Sequence, residues 1–270
     1  MPSPTTNQPP PMTPAEPLRL AWLTTGRGPG SYGALETLCT AIEGGLPVEL
    51  AVVFLNRERG EFEATDRLLD FLDTRGVPVE TLSSVAFRKA QGGRRSRPGE
   101  PLPPWRRAFD EAAAGRLAPY SFDLAVMFGY MLIATEALYD RFPIINDHPA
   151  LPDGPRGTYQ EVIAELIRTG SEESGCMYHL VTGDLDRGPV LSSCRFPIPA
   201  DPSAHVPPEP TRAEIEALPL YDEIRARGVA RERPFLIETL RALREGRLTV
   251  PAERPLDLTA EVEAALARGV

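Results

Sequence analysis

The chain has 270 residues, enough for one large α/β domain or two small ones with a sizeable core. A net charge of −9 excludes a general binder of nucleic acid or membrane surface, and 42% hydrophobic residues is ordinary for a soluble globular protein. Cys39, Cys176 and Cys194 are scattered, with neither metal-type spacing nor a disulfide framework, so no metal is expected and a reducing compartment fits.

No apolar run is long enough to span a membrane, and the first residues lack the apolar centre of a signal peptide, so the expected location is cytoplasmic. Residues 1–17 are proline-rich and nearly free of large apolar groups, which predicts a disordered tail. LRLAWLT from Leu18 then reads as a strand, TGRGPGSYG as a glycine turn, and Ala34 to Glu43 as an amphipathic helix. Strand, glycine turn and helix open a doubly wound unit. Val48 to Asn56 is a second, β-branched strand. GEFEATDRLLDFLDTRG has near-helical apolar spacing, and VPVETL supplies a short third strand.

Regularity lapses from Ala86 to Pro104, where Arg94, Arg95 and Arg97 sit among glycines and prolines. This reads as a solvated surface loop, with an anion grip as the alternative. A helix resumes from Trp105 to Leu117, and Phe122 to Tyr130 is the most apolar strand so far. A short helix near Thr135 to Tyr139 leads into FPIINDHPALP, Phe142 to Pro152. There Ile144-Ile145 begins a buried strand, and alternation turns Asn146 and His148 to one side and Asp147 to the other. Amide and imidazole thus project from a strand's carboxyl end, where open α/β sheets bind ligands.

Thr158 to Thr169 is a helix stopped by Gly170. CMYHLVT and PVLSSCRFPI are strands joined by the short turn GDLDRG, hence antiparallel, and the turn offers Asp184 or Asp186 to the same mouth. His179 reads as a satisfied core or edge residue and His205 as exposed. Residues 201–210 form a proline linker, followed by helices over Thr211 to Ala217, Tyr221 to Ala226, Arg233 to Glu245 and Thr259 to Arg268. The expected fold is a Rossmann-like open, mostly parallel α/β sheet with helices on both faces and a helical C-terminal extension. Its divisions are a tail over 1–17, a catalytic domain over 18–200, and linker plus helices over 201–270.

GPGS after the first strand, FGYMLI after a buried strand, NDHPALP and GDLDRGP occur in order. Together they resemble the folate-dependent formyltransferases, most closely the phosphoribosylglycinamide formyltransferase branch. The resemblance covers Leu18 to Ile198. It implies an enzyme moving a formyl group from 10-formyltetrahydrofolate, a co-substrate, to the amine of a small anionic acceptor, glycinamide ribonucleotide or a relative, and leaves room for a homodimer. Asn146 and His148 would face the formyl carbonyl, with Asp186 orienting His148. Tyr130, Met131, Leu132 and Ile133, with Asp184 and Leu185, would hold the pterin. Gly28, Gly30, Ser31 and Tyr32 match the positions that bind the acceptor phosphate.

The sequence departs from the family at several places: Tyr32 stands where the family has asparagine near the phosphate, Leu132 where the folate loop of the purine enzymes has arginine, and GPRGTYQEV replaces a histidine-bearing segment. The donor half is better kept than the acceptor half. The alternatives are formylation of an amino sugar or other small amine, and a non-catalytic folate or ligand binder on the same scaffold. After the core, helices are expected rather than a domain of the kind that holds transfer RNA, so a methionyl-tRNA formyltransferase is not the expected activity.

Overall fold

The computed structural model describes residues 16–97, 100–200 and 211–269. The linker expected over 201–210, with His205, and most of the expected tail lie outside these residues. The described chain divides into two compact units. Unit one runs to Asn146 and takes in Val181–Gly183; unit two is Asp147–Leu180 with the described residues from Asp184 onward.

Unit one contains, in order, β1 (Leu18–Thr24), α1 (Pro29–Glu43), β2 (Val48–Leu55), α2 (Glu63–Asp73), β3 (Val79–Thr81), α3 (Ser84–Ala90), α4 (Pro104–Leu117), β4 (Leu124–Met127), α5 (Glu136–Tyr139) and most of β5 (Ile144–His148). The strands lie in the order β3-β2-β1-β4-β5, and every pair among them is parallel. The sequence dictates this. β1, β2 and β4 are almost unbroken apolar runs, which suits strands covered on both faces. Ala21, Leu23, Val52, Phe54, Ala125 and Met127 pack against Trp105, Phe109, Ala113 and Leu117 of α4. The alternate residues Leu20, Trp22, Val53 and Leu55 are equally buried on the opposite face. There Leu55 and Leu68 of α2 close beneath Gly26, and α1 meets α2 through Tyr32 and Phe71, ring centroids 5.1 Å apart.

Two elements differ from expectation. α1 begins at Pro29, not near Ala34, because the fixed φ of proline suits the first helical turn and absorbs the glycine segment into the helix. The segment expected to be irregular from Ala86 opens as α3, nucleated by Ser83, whose side chain accepts the Ala86 N–H at 3.0 Å.

Unit two holds the end of β5, α6 (Tyr159–Thr169), β6 (Glu173–Leu180), β7 (Val190–Pro197), α7 (Arg212–Glu216), α8 (Pro219–Arg244), β8 (Leu256–Asp257) and α9 (Thr259–Ala267). β6 and β7 are antiparallel, as the short turn requires, and the unexpected β8 adds to β7 in parallel. α6 starts at a capping box of Thr158 and Glu161 and stops at Gly170 with φ 65°. α8 is one 26-residue helix where two were expected, running through Gly228 and Pro234. Burial of Phe235, Leu236, Ile237 and Leu240 outweighs the proline, and Phe235 packs on Tyr178 at 5.2 Å.

Asp147 faces away from His148, as alternation demands, and one of its carboxylate oxygens is buried without a hydrogen-bond partner. Burial holds its carboxyl well above the usual carboxylate range; Glu232 and Cys194 add to the rise and Arg225 opposes it. The folded protein therefore keeps a proton that the unfolded chain releases, so stability falls as pH rises past the ordinary aspartate range. Asp147→Asn should match the parent near about pH 4 and exceed it by about 1–2 kcal/mol near about pH 8, read by urea unfolding at both values.

Candidate active site

In unit one the polar groups gather where the parallel strands end. β1 finishes at Thr24, and Thr25 becomes a junction. Its N–H donates to the Gly129 carbonyl at 3.1 Å, while its Oγ1 accepts Asn56 Nδ2 at 3.1 Å and the Met131 N–H at 3.0 Å. The segment after β4 is held at its far end by α4. Arg106 donates to the Ile133 carbonyl at 2.7 Å, and Asp110 accepts the Thr135 N–H at 2.7 Å. Arg106 and Asp110 are buried and lie one helical turn apart, 3.4 Å from each other. Burial raises the Asp110 carboxyl above its ordinary value even though Arg106 and Thr135 oppose the shift.

Residues 130–133 are thus fixed by their backbone while two of their side chains point outward. Met131 is 67% exposed and Ile133 42%, whereas Tyr130 is buried against Phe54 and Leu132 is partly buried on the α4 core. Tertiary anchoring of this kind leaves a fixed apolar ledge rather than a floppy loop. The anchors Thr25, Arg106 and Asp110 were not foreseen. An arginine and an aspartate four apart near a helix start was the available signal.

Gly28 caps α1 in an extended conformation, and no acidic residue occupies the first turn. The amino end of a helix presents N–H groups without intrahelical partners, favourable for an anion. A Cβ at Gly28 or Gly30 would meet nothing within 4 Å, so both leave open space. Ser31 is buried beside Gly129, and the Tyr32 ring is engaged with Phe71. Asn146 lies on β5 at its carboxyl end.

Unit two holds a cluster of ionisable groups of its own. His148 ends β5, buried, with Nδ1 3.8 Å from Asp186 Oδ2 and Nε2 3.0 Å from the Pro155 carbonyl. Asp186 also accepts the Gly157 N–H at 3.1 Å. It is the one non-glycine among the described residues with a left-handed backbone, φ 54°. Such strain persists only where the surroundings fix it, and it collects at functional sites.

His179 is buried as expected, and it also faces Asp186, with Nε2 3.9 Å from Oδ1 and its ring 6.3 Å from that of His148. Its Nδ1 lies 3.1 Å from the Leu180 carbonyl, and burial pulls its pKa below the ordinary imidazole value, which keeps it neutral. Two imidazoles therefore flank one carboxylate. The sequence alone gives His179 a core or edge place, and only its position three residues before Thr182 of Thr-Gly-Asp hints otherwise. Asp184 pairs with Arg156 at 3.3 Å, and Leu185 is 44% exposed.

With this geometry established, the likenesses to known proteins are informative. Residues 79–213, half of the chain, match the family described as formyl transferase. The phosphoribosylglycinamide formyltransferase of Escherichia coli (strain K12) is 30% identical over 95 residues, 34% of this chain and 44% of the relative. That of Haemophilus influenzae is 33% identical over 116 residues, 41% and 53% respectively. The chain spans about half the length of these curated relatives. In structure it is similar to glycinamide ribonucleotide transformylase 1 of Symbiobacterium toebii, with a TM-score of 0.63, 25% identity, and coverage of 88% of this chain and 92% of that one.

Two glycines of the site separate space from strain. Gly129 has φ 64°, and a Cβ there would come within 2.4 Å of Ser31 Oγ, whereas Gly28 has neither problem. In urea unfolding, Gly129→Ala should lose about 1–3 kcal/mol while Gly28→Ala stays within about 0.5 kcal/mol of the parent.

Proposed function

This chain belongs to the formyl transferase family, and we propose that it transfers a formyl group from 10-formyltetrahydrofolate to the amine of a small anionic acceptor, a phosphoribosyl amine such as glycinamide ribonucleotide. The observation that carries the reading is the anchored segment 130–133, whose outward Met131 and Ile133 are among the few large apolar side chains left exposed in the described residues. A flat heterocycle covers such a ledge at little conformational cost, because the ledge is already ordered. The chemistry of the ledge fits a folate: apolar side chains for the ring and fixed backbone groups for its polar edge.

In the transfer, the acceptor nitrogen attacks the formyl carbon, forming a C–N bond and moving a pair of electrons onto the formyl oxygen. Collapse of that intermediate breaks the bond to the folate nitrogen, which takes up a proton as the acceptor nitrogen loses one. Asn146 and His148 are two residues apart on β5, so they project to one side of the strand and suit stabilisation of the oxyanion. His148 relays the proton by exchanging its Pro155 contact for the donor, and Asp186, 3.8 Å from Nδ1, balances the charge that develops on the ring. His179, held neutral by burial, adds no positive charge to compete with that role. Gly28 and Gly30 offer open space, and the first turn of α1 through Ser31 offers N–H groups, to the acceptor's phosphate.

Tyr32 supports a second reading of the acceptor. Its ring serves the contact between α1 and α2, so the group that the resemblance places there for the phosphate is missing. An amino sugar or another small amine is therefore the alternative substrate.

The decisive assay follows tetrahydrofolate release when the protein is given 10-formyltetrahydrofolate and a panel of amines, including glycinamide ribonucleotide and an amino-sugar nucleotide. Release with none of them would defeat the proposal. With an active pair, His148→Ala and Asn146→Ala should each cut turnover by about 10²-fold with donor affinity nearly intact. The double variant should lose less than the product of the two, since both act on one developing charge.

A further inference from the structure

Between β5 and α6 the chain runs through PALPDGPRG, residues 149–157, a segment with three prolines and two glycines. It has little capacity to hold itself. Its internal backbone bonds are Gly154 N–H to the Leu151 carbonyl at 2.8 Å and Ala150 N–H to the His148 carbonyl at 2.9 Å. Behind it lies an open cleft of about 650 Å³, floored by Leu166 and Thr169 of α6 and Ser174 of β6. Ala150 packs with Val162 and Leu166 and Leu151 lies against Gly175, whereas Pro152 to Pro155 line the cleft, so packing on that side fixes the start of the segment but not the rest of its path.

What does set it is a row of polar stitches from the turn at 183–189. Arg187 Nη1 donates to the Pro152 carbonyl at 3.2 Å and Nη2 to the Gly154 carbonyl at 2.8 Å. The neighbouring Asp186 accepts the Gly157 N–H at 3.1 Å. Pro155 lies between these two anchors, and its carbonyl meets His148 Nε2 at 3.0 Å.

We propose that Arg187 is a positioning residue for His148, acting through the segment that it grips. A carbonyl can only accept, so the nitrogen facing Pro155 carries the proton, and Nδ1 is the atom turned toward Asp186. Holding that carbonyl still holds the ring in one orientation and one tautomer. The planar guanidinium spans two carbonyls with fixed geometry, which the point charge of a lysine does not. Arg187 itself meets neither the formyl group nor the folate in this account. The consequence for turnover rests on the formyl-transfer reading, whereas the consequence for the His148 ring does not.

The test compares Arg187→Met and Arg187→Lys with the parent, using ¹⁵N resonances of the His148 ring and steady-state kinetics. In the folded Met variant the ring signals should move toward a mixture of tautomers. Turnover should fall about 10-fold with donor KM within about twofold, since a misplaced group costs rate more than binding. The Lys variant should lie between. Ring signals identical to the parent in either folded variant overturn the proposal, even if turnover falls. Should Arg187→Met fail to fold, Arg187→Lys alone decides on the same resonances. If the parent protein forms no tetrahydrofolate with any amine while the ring signals still shift, the positioning role stands and the proposed activity falls.

Discussion

A parallel sheet buried on both faces has no place for polar side chains except where its strands stop. Unit one is built under that constraint. β1, β2 and β4 are apolar throughout their central residues, and Thr24, Thr25, Asn56 and Gly129 appear only as each strand runs out. Those residues then bond to one another, because a buried amide or hydroxyl without a partner is costly. The polar ends of the strands thereby become a rigid frame, and the segment after β4 inherits its rigidity. The Arg106–Asp110 pair completes that frame from α4. A buried ion pair seldom stabilises a fold by itself, and here Arg106 Nη2 and Asp110 also meet the carbonyl and N–H of the segment that they brace, while Arg106 Nη1 is buried without a hydrogen-bond partner.

Unit two solves a different problem. It must keep a carboxylate and two imidazoles close together in a poorly hydrated place. Asp186 satisfies this with a left-handed backbone and a bond from the Gly157 N–H, while His148 and His179 approach it from β5 and β6. None of these contacts to a histidine is a tight hydrogen bond at 3.8 and 3.9 Å. On β5 itself, adjacent residues have opposite fates. His148 faces Asp186, and Asp147 faces Glu232 and Cys194, where burial favours its neutral form.

The two halves of the proposed reaction are not equally well served. The donor side has an ordered ledge and anchored backbone. On the acceptor side, open space at Gly28 and Gly30 suits a phosphate, but Tyr32 is committed to packing. A formyl transferase that keeps its chemistry and alters its amine pocket would change in this way, since the carbonyl chemistry is the same for every acceptor.

The sequence by itself determined the order of the first seven strands and of most helices but not α3 or β8, the carboxyl-end location of Asn146 and His148, and the antiparallel turn carrying Asp186. Each follows from a local rule: unbroken apolar runs, alternation of side chains, or a connection too short to cross over. It also carried the motif order that led to the formyl transferases. It misjudged the start of α1 and the continuity of α8, because Gly28 to Gly33 and Pro234 look like breaks until the buried partners of those helices are known. His179, Arg106, Asp110 and Arg187 were decided by tertiary structure alone. Their roles rest on which atom lies opposite them: the four-residue spacing of Arg106 and Asp110 is legible, but the distant segment that the pair braces is not.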